Sequence, residues 1–209
     1  MKKIIVLGAS GRVGQKLVEY ALTENYLVTA FVRNENKFLI KHPNLQIVTG
    51  DVFNEKEVTN AIEGQDVVIS ALSGRSTKPD YSVLSVGMKY IISGMEKFGV
   101  SRILNVAGAG ILEDKEFGLR RNRPNYPETF KFVSAENWKV FEFLKTTNVR
   151  WTIVCAPEMP NETRTGIYRT ATNYLPEGGK RISVEDVADF ILKSLNTEVT
   201  FQQRIGIAY

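Results

Sequence analysis

A short apolar segment, residues 3–7 (KIIVL), runs straight into the glycine turn Gly8-Ala9-Ser10-Gly11-Arg12-Val13-Gly14. Few folds accept that order. A strand that ends on glycine and gives way to a helix within a few residues must turn tightly, and Gly8 allows the turn. Gly11 lets the backbone approach an anion with no Cβ in the way. Gly14 lets the new helix lie close on the strand it has just left. The helix start then offers free N–H groups and the positive end of its dipole to a phosphate. Ser10 adds a hydroxyl and Arg12 a cation. The spacing is G-x-x-G-x-x-G, not G-x-G-x-x-G, and no G-x-x-x-x-G-K-[ST] occurs, which excludes a P-loop. A turn that only packs is the alternative, and the position between a buried strand and a helix speaks against it.

The same alternation continues along the chain. Strands are expected at 3–7, 27–32, 45–49, 66–70, 101–106 and 150–155. They are short, rich in Val and Ile, and apolar on both faces, as buried parallel strands are. Helices are expected at 12–24, 35–40, 55–62, 80–98, 128–146 and 184–196. Asn54, Asp80 and Ser183 are candidate N-caps, and Glu185 and Asp186 place acids in the first turn of the last helix. Strand–helix alternation predicts an α/β fold, a Rossmann-like doubly wound parallel sheet. Its ligand crevice lies at the carboxyl ends of the strands. The 209 residues suit one domain, 1–209. Two stretches without periodicity, 107–127 and 156–182, fall at the ligand end. The second holds Pro157, Pro160, Pro176, Gly178 and Gly179 and is expected to be a small C-terminal, substrate-side loop region.

Composition removes several function classes. The 27 Lys and Arg against 23 Asp and Glu give a net charge of +4, without the basic stripe or tail of a nucleic-acid binder. The densest basic cluster is Arg120, Arg121 and Arg123, just after Glu113, Asp114 and Glu116. It reads either as a solvated loop or as a basic rim for an anionic substrate. No run approaches the ~18 apolar residues of a membrane span. The apolar start stops at Gly8, short for a signal peptide. A cytoplasmic protein with no membrane or nucleic-acid partner is expected, as a monomer or homodimer. The single cysteine, Cys155, rules out an internal disulfide and a cysteine-based zinc site. The single histidine, His42, rules out a His-rich metal site and speaks against a histidine general base. No metal is expected.

The remaining strand ends specify the ligand. The second ends Ala30-Phe31-Val32-Arg33-Asn34, with no acid to hold a ribose 2′-hydroxyl as in NAD binders. Arg33 suits a 2′-phosphate through charge-assisted, bidentate bonds and can stack on adenine. NADP(H) is therefore favoured over NAD(H). A plain surface arginine is the alternative, and nearby Glu35 weakens the cofactor reading. In Gly50-Asp51-Val52, Asp51 can accept from the adenine amino group and Val52 can offer its backbone. Asp51 reads equally as an acid at the start of the next helix. Ala71-Leu72-Ser73-Gly74 is small enough to pass beside the nicotinamide ribose. Val106-Ala107-Gly108-Ala109-Gly110 can floor a pocket under a flat ring, or be a flexible loop.

These segments, with RWTIVCAPEM and RISVEDVADFIL further on, fall in order along nearly the whole chain. Together they resemble the atypical short-chain dehydrogenase/reductase superfamily. The likeness is to its NmrA-like NAD(P)-binding group, which includes the biliverdin reductase B/flavin reductase type and bacterial candidate NADH-flavin reductases. The resemblance implies a pyrophosphate loop at Gly8, Ser10, Gly11, Arg12 and Val13, with Gly14 as the packing glycine. It implies a 2′-phosphate contact at Arg33, an adenine pair at Asp51 and Val52, and a nicotinamide-side strand end at Ala71 and Leu72. Two departures stand out. The flavin-reductase type has a substrate-facing serine near the end of strand five, where this chain has Gly108. None of the eight tyrosines is followed four residues later by lysine, so the Tyr-x-x-x-Lys pair is missing. Lys131 and Lys139 read as surface residues. Tyr126 and Tyr168 flank the crevice, as substrate contacts or as packing.

The function expected from this resemblance is an NAD(P)H-dependent oxidoreductase. It would reduce a flavin (FMN, FAD or riboflavin) or quinone-like flat acceptor by direct hydride transfer, which needs orientation more than a strong acid. No catalytic residue is assigned. The alternative is a non-catalytic NADP(H)-binding redox sensor of NmrA type. A nucleotide-sugar epimerase or dehydratase is disfavoured, since it needs the Tyr/Lys pair.

Overall fold

The computed structural model describes residues 1–74 and 82–209. Strand β1 (Lys3–Leu7) leads into helix α1 (Arg12–Thr23), then β2 (Leu27–Val32) and β3 (Leu45–Thr49). Helix α2 (Glu55–Ile62), β4 (Val67–Ser70), α3 (Val83–Phe98) and β5 (Arg102–Gly108) follow. A two-residue hairpin, β6 (Glu113–Asp114) and β7 (Gly118–Leu119), precedes α4 (Glu128–Lys145) and β8 (Arg150–Ala156). The chain closes with β9 (Arg169–Thr172), α5 (Val184–Lys193) and β10 (Gln203–Ala208).

Among the described residues eight strands form one sheet in the order β3-β2-β1-β4-β5-β8-β10-β9, parallel except for β9. The alternation within β1 explains the double winding. Ile4 and Val6 point into one core with α1 and α5, and Ile5 and Leu7 into another with α2, α3 and α4. A strand buried on both sides can afford no polar face, which is why its sequence is continuously apolar. The order reverses at β1, between β2 and β4, so the switch point opens at the carboxyl end of β1.

The helix ends follow local chemistry. Asn54 accepts from the N–H groups of Lys56 and Glu57, and Ser183 from that of Asp186. Ser82 caps α3; Asp80, the expected cap, lies outside the described residues. The expected helix at 35–40 is only a 3₁₀ turn, Glu35–Lys37. The Asn34 side chain accepts from the Asn36 N–H and closes that turn. Phe38 then turns into the core while Leu39 stays 84% exposed, so the segment has no apolar face to hold a longer helix. Helix α5 stops at Lys193, short of residue 196. There the buried Arg102 guanidinium donates to the carbonyls of Ser194 and Leu195.

Among the described residues four strands stand outside the expected set, the short β6–β7 pair and two strands of the main sheet. Strand β10 inserts between β8 and β9, and it hides a charge: Arg204 is buried, stacked on Phe141 and bonded to the Ile111 carbonyl. Strand β9 lies inside 156–182, which is thus not wholly a loop; it pairs antiparallel to β10. Among the described residues no helix is long and apolar enough to cross a membrane.

Candidate functional site

The turn after β1 is built by contacts that only glycine permits. Gly8 has φ +81°, and a Cβ there would stand 2.6 Å from the Ala71 carbonyl oxygen. The Gly11 N–H donates to the Gly8 oxygen at 2.9 Å. A Cβ on Gly14 would meet that same oxygen at 2.1 Å, so α1 rests directly on the turn. Helix α1 opens with no side-chain cap and no acid in its first turn, whereas α2 and α5 open with both. Its first N–H groups are therefore open to an anion, with no carboxylate in the helix's own first turn to compete for them.

The turn borders a cavity of about 290 Å³. Gly8, Ser10 and Gly11 form one wall, and Phe31, Val32 and Arg33 another. Gly50, Asp51, Val52 and Phe53 close the β3 side, and Ala71, Leu72, Ser73 and Val83 the β4 side. Arg33 is exposed, and its guanidinium has no hydrogen-bond or ion-pair partner among the described residues. Asp51 has two duties. Its Oδ1 accepts from the Phe53 N–H at 3.0 Å, a turn contact before α2, while its carboxylate lines the cavity. Val52 is pressed by α3, where a Cβ on Gly87 would lie 2.6 Å from it.

Five of the expected residues do not line the cavity. Val13 and Gly14 sit behind it on α1. Arg12 turns its guanidinium away, to the Met159 carbonyl (2.6 Å) and Asn161 Oδ1 (3.1 Å), tying the turn to the 156–182 segment. Ala107 is buried at the end of β5, and Gly108 is half-buried, its Cβ position 4.0 Å from Asn137 Nδ2. The apolar walls at Phe31, Phe53 and Val83 were not expected. Phe31 reads as ordinary strand core in FVR, and it fits because Gly50 leaves room for its ring.

Tyr20, Tyr168, Lys131, Lys139 and Cys155, which could move protons or supply a nucleophile, line no part of this cavity, and each is held elsewhere. Tyr168 donates to Asp189 at 2.8 Å; burial and then that bond raise its pKa above the usual phenol range. Burial, with a bond to Glu185, pushes Tyr20 to about 12. Lys139 is paired with Glu136 and Lys131 with Glu128, each at 2.7 Å. Burial lifts the Cys155 thiol to about 12, so it is no thiolate nucleophile. The basic cluster is not a plain solvated loop: Arg123 pairs with Asp114, and Arg121 lies over the Trp138 ring. The 156–182 segment is tied to α5 by Asp186. This buried carboxylate accepts from Thr165, Gly166, Ser183 and Tyr209.

Comparison with known proteins agrees with this geometry. Residues 8–198 match the protein family described as NAD(P)H-binding. The uncharacterized protein YwnB of Bacillus subtilis is 27% identical over 200 residues, 93% of this chain and 91% of its own length. The structure of a candidate epimerase from Bacteroides thetaiotaomicron is 31% identical with a TM-score of 0.89, covering 100% of this chain and 97% of its own. A candidate NADH-flavin reductase from Streptococcus pneumoniae is 28% identical with a TM-score of 0.81, covering 100% and 99%.

Proposed function

The chain belongs to the NAD(P)H-binding family, and on that premise we propose that it is a reductase that passes a hydride from NADPH to a flat acceptor, a flavin or quinone. The residues present fit the dinucleotide. Gly8, Gly11 and the uncapped start of α1 would hold the pyrophosphate, with Ser10 donating its hydroxyl. Arg33 would pair with the 2′-phosphate, which favours NADP(H) over NAD(H). Asp51 would accept from the adenine amino group, beside the Val52 backbone. The small segment Ala71-Leu72-Ser73 would pass the nicotinamide ribose, and Ala107 and Gly108 would lie under the ring. Arg12 and Val13 would contribute their N–H groups, with Gly14 keeping α1 close. Bound in reduced form, the nicotinamide supplies the hydride; the protein holds the two rings in register.

The observation that carries this reading is the single cavity joining the glycine turn, Arg33, Asp51 and the end of β4. The lack of a Tyr/Lys pair and the commitment of Tyr168, Lys131 and Lys139 point away from carbonyl reduction and towards an acceptor that needs no strong protein acid. The chain's similarity to the candidate flavin reductase supports the same choice.

The test is a paired titration with NADPH and NADH, followed by FMN, riboflavin and a quinone in the same cuvette. NADPH is expected to bind at least about tenfold more tightly, since a charge-assisted contact is worth ~1.5–3 kcal/mol. Arg33→Ala removes the preference. Loss of reduced-nicotinamide absorbance on adding an acceptor supports the reductase. Binding without turnover of any acceptor would move the function to a redox-sensing NADP(H)-binding protein, and no binding at all would overturn the proposal.

A further inference from the structure

Beyond the end of β5 the fold gathers polar groups that it does not itself use. Gly110 lies in a 3₁₀ turn, Ala109–Ile111. The Tyr126 hydroxyl and Ser134 Oγ stand 2.3 and 2.4 Å from where a Gly110 Cβ would be, so the two oxygens are neighbours. Ser134 is 3% exposed, and its Oγ is closed to solvent with no hydrogen-bond partner. A buried hydroxyl without a partner loses its water and gains nothing, so native structures keep few of them. The Tyr126 hydroxyl likewise has no partner among the described residues.

The third group is Arg120. It sits half-buried in the turn Arg120–Asn122, which packs on the Ala109–Ile111 turn. It lies close enough to Tyr126, Arg123 and Asp114 to feel their charge, and burial with Arg123 pulls its pKa below the usual arginine value. The surrounding charges are otherwise matched. Arg123 pairs with Asp114, and Arg204 with Glu113 at 2.9 Å. Arg121 stacks on Trp138 and donates to the Ser134 carbonyl. The Arg120 guanidinium has no hydrogen-bond or ion-pair partner among the described residues. A half-buried fork of five donors with no anion is incomplete as it stands. Among the described residues neither Arg120 nor Arg121 has a carboxylate of its own, since Asp114 is paired with Arg123, and two such positive charges match a phosphate monoester near its dianionic form at neutral pH.

We propose that Arg120 and the Tyr126 hydroxyl, with Ser134 behind them as a positioning residue, bind the phosphate of a phosphorylated acceptor such as FMN. This deepens the reductase reading and rests on it. The cofactor's own phosphates belong elsewhere, at the glycine turn and Arg33, and Arg120 lines no part of that cavity. Ser134 stands beside the phenol at Gly110 and would position its hydroxyl for the ligand.

FMN and riboflavin share one ring system and differ by the phosphate, so their ratio isolates the subsite. Equilibrium binding is measured by flavin fluorescence in the presence of NADP⁺, and KM and kcat in turnover with NADPH. The native protein is expected to bind FMN at least about tenfold more tightly than riboflavin. That ratio falls towards one in Arg120→Ala, is partly kept in Arg120→Lys, and falls severalfold in Tyr126→Phe. Ser134→Ala raises the KM for FMN with kcat unchanged. Thermal unfolding of each variant confirms that it is folded, and Tyr126→Phe keeps the test open if an Arg120 variant is not. Equal affinity for the two flavins, or an FMN preference that survives Arg120→Ala, overturns the proposal. Reduction of both flavins with equal efficiency overturns the subsite and leaves the reductase standing. FMN binding that depends on Arg120 without any turnover supports the phosphate site and overturns the reductase.

Discussion

Alanine in place of Gly14 is a severe test of the glycine turn, because two effects of opposite sign compete there. An added Cβ would lie 2.1 Å from the Gly8 oxygen, 2.8 Å from Ala9 Cα and 2.9 Å from the Gly8 carbonyl carbon. Carbon atoms in contact sit at about 3.5–4.0 Å, so α1 and the turn must part by roughly an ångström. Neither moves freely. Val13, Leu17, Val18, Ala21 and Leu22 hold α1 in one core with Val187, Ala188 and Ile191 of α5. The turn is pinned by the Gly11–Gly8 hydrogen bond and by Gly8 against Ala71. Overpacking costs ~1–3 kcal/mol, and contact between backbones belongs at the top of that range or above it. Alanine recovers ~1 kcal/mol of helix propensity. The net loss is about 2 kcal/mol, or a Tm lower by about 4–8 °C for a chain of this size. Displacing Gly8 and Gly11 should also weaken NADPH binding by tenfold or more. Thermal unfolding by circular dichroism and an NADPH titration read the two effects. A Tm raised by the propensity gain, with NADPH binding intact, would refute the reasoning.

Two further predictions concern the segment beyond β8. Asp186 is buried, which opposes its charge, yet hydrogen bonds from Tyr209, Gly166 and Thr165 outweigh burial and hold its pKa below the ordinary 3.8. A depressed folded value gives stability that is complete above the unfolded pKa and lost as pH falls through the folded one. The native protein should therefore lose this stabilisation below about pH 4. Asp186→Asn should be about 2–4 kcal/mol less stable at pH 7 and show a smaller loss on acidification; urea unfolding at pH 7 and pH 3 tests both, and equal acid losses would count against the assignment. Arg12→Ala removes the contacts to Met159 and Asn161. On an exposed side chain that should change global stability by less than about 1 kcal/mol, while limited proteolysis between residues 159 and 168 speeds up; an unchanged cleavage rate would show that the tether is idle.

The parallel core was legible because its physics is local. The inner strands are apolar on both faces and bounded by turns, and β1 shows why: alternate residues serve two cores; only β3, at the sheet edge, has no fully buried residue among the six expected strands. What escaped depends on contacts far apart in sequence. Arg204 marks β10 as a surface segment to any reading of polarity, but it is buried by Phe141, the Ile111 carbonyl and Glu113, 91 residues away in the last case. Strand β9 is mostly exposed and polar at the sheet edge, so burial leaves no alternation to read. The helix expected at 35–40 failed for the opposite reason: Phe38-Leu39-Ile40 looks apolar, yet only Phe38 is fully buried.

The site divides along the same line. Its turn side was visible in sequence because a strand end fixes a glycine, an arginine or an aspartate relative to the sheet without reference to the rest of the chain, and the cavity collects nine such residues, from Gly8 to Ser73. For the proposed acceptor side the sequence offered only alternatives, a basic rim or a solvated loop at Arg120, Arg121 and Arg123 and a substrate contact or packing at Tyr126, because its character is set by subtraction. Arg120, Arg121 and Arg123 look alike in sequence; folding gives Arg123 to Asp114 and Arg121 to Trp138 and leaves Arg120 over. Tyr126 and Ser134 become neighbours only because Gly110, from a different element, has no side chain to keep them apart. On the proposed reading, a fold that fixes its cofactor end by strand topology and its acceptor end by which charges remain unpaired can change acceptors through a few loop residues while the glycine turn stays as it is. In this chain the residue that such a change would alter first is Arg120.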